Sequence, residues 1–169
     1  MKDVDRQREA MLRVMAPVVD EEVVCAEWFA PAKGMEDDGL AAVKWLRRRL
    51  SSGERPDDRL RGANILVLTP TRLLAFTARR VRATPAVEPR RQIGDWPLGD
   101  VELTYRGRKA ESYFAQSGGT YTSKIVRATL KLAGEEDPLV VDFPDTPLAR
   151  ELLKAAQEAS AAAHARLQS

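Results

Sequence analysis

The apolar positions follow two periods, and the period changes near each end of the chain. Residues 2–16 repeat at helical spacing, with Val4, Met11, Met15 and Val18 roughly on one face and Pro17 as a stop, which predicts an N-terminal helix. From residue 22 the period is that of a strand. Over 22–29, Val23, Cys25 and Phe29 share one face while Val24, Ala26 and Trp28 share the other. Glu27 interrupts the first face, so one end of this strand is expected to be exposed. The clearest hairpin spans 64–79, where two apolar runs meet at a Pro70-Thr71 turn. Short strands are predicted at 92–97 and 100–106, with 109–116 continuing the pair. Gly118-Gly119 marks a further turn, 124–132 alternates as a strand, and 138–143 gives the last one.

The helical period then returns. Asp145 and Thr146 are N-cap residues and Pro147 suits the first helical position. Leu148, Leu152, Ala155, Ala156, Ala159, Ala163 and Leu167 form an apolar stripe, predicting a C-terminal helix over 147–166. Two segments interrupt the strands. Residues 30–63 are a long insert between the first and second strands, containing a helix over 39–51 with Leu40, Val43, Leu46 and Leu50 on one stripe. Residues 79–91 read as a loop with five arginines and two prolines. A run of strands followed by one helix argues against a parallel α/β sheet. It suits a small antiparallel barrel or sandwich whose open end is plugged by the terminal helix.

Composition narrows the class. The chain has 169 residues, 44% hydrophobic and 31% charged, as expected of a single globular domain. No apolar run exceeds four residues, so neither a membrane-spanning helix nor a signal-peptide core is expected. Cys25 has no second cysteine to pair with, which fits a reducing cytoplasm, and His164 is the sole histidine. Arginines number 20 against 7 lysines and alanines 24, the bias of a high-GC bacterial genome.

Several short stretches resemble the pleckstrin-homology-like superfold in its bacterial, GRAM-like version. VVDEEVV at 18–24 resembles that family's first strand, ILVLTPTRLLAF at 65–76 its second hairpin, and DWPLGDVEL at 95–103 a following strand pair. LVVDFP leading into ARELLKA resembles the last strand and the helix after it. The likeness covers roughly residues 18–160. It implies an all-β or α+β fold, an antiparallel barrel of about seven strands capped by a C-terminal helix. The N-terminal helix and the 30–63 insert are additions to that pattern. The motifs are structural and carry no chemistry of their own.

Charge supplies the candidate sites. The net charge of +2 does not suggest a nucleic-acid binder. In an antiparallel meander the connections after the first and third strands lie at one end. Here 30–63 carries a net +2 and 79–91, with Arg79, Arg80, Arg82, Arg90, Arg91 and Glu88, a net +4. Arginine forks grip phosphate, so this end is a candidate for an anionic ligand, and the resemblance implies the same end for phosphoinositides. The alternative is a solvated arginine-rich loop. Trp45 falls well off the apolar stripe of the predicted 39–51 helix, beside Arg48 and Arg49, which suits an interface; a helix covered on two sides would make it core. Glu36, Asp37 and Asp38 read as the solvated start of that helix and not as a metal site.

Catalysis has little support. There is no phosphate-binding glycine loop, metal motif or nucleophile elbow, and Cys25 reads as core. The expectation is a non-catalytic binding or scaffold module without a cofactor, recognising a protein partner or an anionic lipid surface. The rivals are a self-assembling structural protein, with the two extra helices as a subunit interface, and a carboxylate-based enzyme.

Overall fold

The computed structural model describes residues 2–31, 64–80, 87–114 and 119–168. Helix α1 (Lys2–Met15) precedes strands β1 (Cys25–Pro31), β2 (Asn64–Leu68), β3 (Arg72–Arg80) and β4 (Val87–Pro97). A single 3-10 turn, Leu98–Asp100, leads into β5 (Val101–Phe114), β6 (Gly119–Leu132) and β7 (Leu139–Pro144), and helix α2 (Pro147–Leu167) follows. The seven strands are antiparallel and run in the order β4-β3-β2-β1-β7-β6-β5, which leaves β4 and β5 as the two edges. β1 joins the two halves: it pairs with β2 from Cys25 to Phe29, and at Ala30 and Pro31 it pairs with Asp142 and Val141 of β7.

α2 packs mainly against the Leu98–Asp100 turn, β5 and β1. Its start is set by Thr146, whose hydroxyl accepts the Ala149 N–H at 3.1 Å, and by Pro147 in the first turn. Leu148, Ala149, Leu152, Leu153 and Ala156 are buried against residues from every strand except β4, and Ile93 and Trp96 of β4 pack on the margin of this cluster. The stripe is thus wider than the periodicity indicated, and it stops short of Leu167, which is 75% exposed. Farther along the helix, the Gln157 amide donates to Leu103 C=O at 3.1 Å and the Ser160 hydroxyl to Val101 C=O. These are backbone acceptors of the β5 edge that no further strand satisfies. Phe29 of β1 and Phe143 of β7 meet at 5.6 Å between ring centres, locking the junction of the two halves.

The other face of β1–β4 is apolar as well. Ala26, Ile65, Val67, Leu74 and Phe76 are covered by Met11, Val14 and Met15 of α1 together with Val19 and Val23. β2 is therefore buried along its whole length, which explains the continuous ILVL run. Val19 takes the place expected for Val18, which is exposed, and the Arg8–Glu151 ion pair ties α1 to α2.

Three sequence expectations need correction. β1 begins at Cys25 and not at residue 22, so Val23 packs beneath α1 with Ala26 and Val24 is exposed. Glu27 does not mark an exposed end, since it is 4% exposed. Residues 79–91 are not one loop: β3 runs to Arg80 and β4 starts at Val87, with Ala78 opposite Pro89 and Arg79 opposite Glu88. Pro89 is tolerated because β4 is an edge strand, where a missing N–H breaks no ladder on the outer side. The register shifts flanking Phe76 absorb the irregularity. The predicted 39–51 helix lies outside the described residues.

The packing of α2 makes a quantitative expectation. Leu152 is fully buried, so Leu152→Ala should lower unfolding free energy by about 2–5 kcal/mol. Leu152→Asp should cost more, because it strands a charge in the core. Lys154→Ala, exposed on the same helix, should stay within about 0.5 kcal/mol of wild type. Denaturant titration measures all three, and a wild-type midpoint for Leu152→Asp would show that α2 is not docked.

Candidate anion-binding surface

Antiparallel pairing brings the far ends of β1, β2 and β3 together: Phe29 lies opposite Asn64, and Asn64 opposite Thr77. β1 leaves the sheet at Pro31 and β3 at Arg80, opposite Val87 at the start of β4. Both connections therefore depart from one end of this half of the sheet. Arg79, Arg90 and Arg91 are exposed there. Arg90 lies 3.8 Å from Glu88, an exposed pair worth little. Arg79 and Arg91 have no ion-pair partner among the described residues. The Arg91 backbone N–H donates to the Thr77 hydroxyl at 3.1 Å, which pins the strand pair where its register shifts.

The opposite end of the same strands shows what a satisfied arginine looks like. Arg72 donates from Nε to Glu21 at 2.6 Å, from Nη2 to Asp20 at 2.6 Å and from Nη1 to Asp95 at 3.0 Å. The Thr71 hydroxyl also donates to Glu21, at 2.7 Å to Oε2. The hydroxyl contacts of Thr71 and Thr69 and the guanidinium together hold the Glu21 carboxyl below its ordinary range. This network ties the segment after α1 to the β2–β3 turn and to β4. Its arginine is committed to structure, whereas Arg79 and Arg91 at the other end have no ion-pair partner among the described residues.

Two buried titratable groups sit on the inner face of β1. Glu27 accepts the Trp28 N–H at 2.9 Å and the Thr146 hydroxyl proton at 3.3 Å. Burial raises its carboxyl pKa, and these two bonds only partly offset that. The Cys25 thiol is pushed up to about 11, mainly by desolvation, so it is not an activated nucleophile at neutral pH. His164 places Nδ1 2.9 Å from the backbone carbonyl of Ser160, while the Ser160 hydroxyl is turned to Val101.

Of the residues singled out by sequence, Arg79, Arg90 and Arg91 fall together at one end of the β3–β4 pair. Arg80 belongs to the same end by backbone register, opposite Val87. Arg82, Trp45, Arg48, Arg49 and the acidic trio lie outside the described residues. A second basic group went unread. Arg106 and Arg127 stand opposite one another on one face of the β5–β6 hairpin, and Lys109 and Lys124 on the other. Among the described residues no helix is long and apolar enough to cross a membrane. No protein-family model and no curated protein matches the chain.

The buried carboxyl fixes the sign of one pH effect. Because the folded state raises the Glu27 pKa, it holds that proton to higher pH than the unfolded chain does. This contribution to stability is present at low pH and is lost as pH rises through the folded pKa. Glu27→Gln keeps the shape and removes the charge, so it should raise the thermal midpoint at neutral pH and flatten its decline above the ordinary carboxyl range. A lower midpoint at neutral pH would mean that the charged carboxylate is itself stabilising.

Proposed function

We propose that this chain is a pleckstrin-homology-like binding module without catalytic activity, and that its ligand is an anionic, phosphate-bearing membrane surface met by the arginine end. The observation that carries this reading is the pairing state of the arginines. Arg72 is engaged by three carboxylates, while Arg79 and Arg91, on the same two strands, have no ion-pair partner among the described residues. Arg80 and Arg82 belong to the same stretch of chain, so the region that joins β3 to β4 concentrates positive charge. Guanidinium groups without partners in the fold keep their donors for phosphate, which they bind through paired N–H bonds.

The strand order supports the fold part of the reading. A four-strand meander, a three-strand meander and a terminal helix follow the pattern of the sequence motifs. The burial of Cys25 and the structural bonds of His164 and Ser160 favour a non-catalytic role.

The expected behaviour is salt-dependent association with acidic vesicles. Raising ionic strength should weaken it, since screening acts over about 8–10 Å. Replacing Arg79, Arg80, Arg82, Arg90 and Arg91 together by Gln should cost at least roughly tenfold in affinity, because each basic residue near an anionic surface contributes about 1 kcal/mol. Co-sedimentation with vesicles of equimolar phosphatidylcholine and phosphatidylserine measures both. Wild-type affinity in the five-residue variant would remove the arginine end from membrane binding and leave a protein ligand as its partner.

A further inference from the structure

The β5–β6 hairpin sets like charges opposite one another at two levels, one on each face. On the outer face Arg106 stands opposite Arg127. Asp142, the register partner of Arg127 on β7, accepts two bonds from it at 2.8 and 3.0 Å, so a carboxylate answers that level within the sheet. On the face that carries Val126 into the core shared with α2, Lys109 stands opposite Lys124. Both lysines are exposed and have no ion-pair partner among the described residues. Like charges directly opposite are destabilising. The carboxylate that follows β7 is committed to another cation: the Asp145 N–H donates to Lys124 C=O at 3.3 Å, but its Oδ1 accepts Arg150 Nε at 2.6 Å.

Arg150 adds a third cation to the same face. Its Nη2 stands 3.5 Å from the position that a Cβ on Gly107 would take, so the guanidinium lies over Gly107. Gly107 precedes Lys109 by two residues, roughly 7 Å along that face of β5. Among the described residues the Arg150 side chain makes one hydrogen bond, from Nε to Asp145, which leaves the donors of both terminal nitrogens. The side chain of Asp145 is 19% exposed and that of Arg150 is 53% exposed, so the cation of this pair is the member that meets water. Arg150, and to a lesser degree Lys124, holds the Asp145 carboxyl below its ordinary range, so it is ionised at neutral pH. Three cations, Lys109, Lys124 and Arg150, against this one carboxylate leave a net +2.

We propose that Lys109, Lys124 and Arg150 form a binding site for a phosphomonoester group, with the Arg150 fork on two phosphate oxygens and the two lysines answering the remaining charge. A phosphomonoester carries close to two negative charges at neutral pH and offers three acceptor oxygens, which matches the net charge left at this place. A guanidinium takes phosphate through paired N–H bonds, while an ammonium acts as a point charge. A carboxylate ligand brings one charge and would leave part of the Lys109–Lys124 repulsion in place. The site stands apart from the arginine end. β1 leaves the sheet at Pro31 opposite Val141, whereas Asp145 follows Pro144 at the other end of β7. A soluble phosphomonoester and the headgroup of phosphatidate present the same chemistry, and vesicles separate the two.

Thermal unfolding of the full chain in inorganic phosphate and in chloride, at matched ionic strength, tests the site. Chloride only screens the lysines, whereas phosphate also binds the folded state. The wild-type midpoint should therefore stand higher in phosphate, by a gap that grows with phosphate concentration. Lys109→Gln with Lys124→Gln should shrink that gap to whatever phosphate gives by exclusion from the protein surface, which the variant thereby measures. Unchanged far-ultraviolet dichroism reports that its fold is intact. Arg150→Gln should reduce the gap as well, since the paired donors are gone. The five-arginine variant should keep the difference from the double-lysine variant, which separates this site from the arginine end. Vesicles then distinguish the sources. Stronger sedimentation with equimolar phosphatidylcholine and phosphatidate than with equimolar phosphatidylcholine and phosphatidylserine, lost in the double-lysine variant, assigns the site to a lipid headgroup. A phosphate gap without that preference assigns it to a soluble phosphomonoester. The proposal is overturned if wild type and the double-lysine variant respond alike in both measurements.

Discussion

An antiparallel sheet that does not close on itself must deal with its edges, and at β5 the packing of α2 is how this chain does it. β4 and β5 carry backbone groups with no further strand to satisfy them. α2 packs into the core with Leu148, Leu152, Leu153 and Ala156, and its Gln157 and Ser160 side chains take β5 carbonyls that would otherwise be buried without partners. The helix is anchored where it begins. Thr146 caps it and at the same time donates to Glu27 of β1, the strand that joins the two halves. The start of the capping helix and the centre of the sheet are thus one hydrogen-bonded unit. α1 extends it by covering the opposite face of β1–β4 and reaching Glu151 of α2 through Arg8.

Elements whose cause is local were legible in the sequence. Thr146-Pro147 and the stripe behind it place α2 to within a residue, because capping and periodicity act within a few positions. The β2–β3 hairpin follows from its turn, where Thr69 and Arg72 exchange bonds across three residues. What depends on distant chain was misread. Glu27 looked like a surface residue because one of its partners lies 119 residues away. The first residues of β4 looked like loop because Pro89 and the arginines are poor strand formers, and only an edge position beside β3 makes them acceptable. The arginine cluster was visible as composition; which of its members remain uncommitted follows from tertiary pairing alone.

Charge is distributed in a way that folding alone does not require. The acidic residues just after α1 are used, Asp20 and Glu21 holding Arg72, and just ahead of α2 Asp145 holds Arg150 at 2.6 Å. Asp142 holds Arg127 on the outer face of the second half. Each of these pairs fastens one element to another. Among the described residues, exposed cations with no ion-pair partner include Arg79 and Arg91 at the β3–β4 end and Arg106, Lys109 and Lys124 on the β5–β6 hairpin. Exposed lysines and arginines scattered singly cost nothing and mean little. Cations placed opposite one another across two strands are different, because the register that aligns them also sets their repulsion.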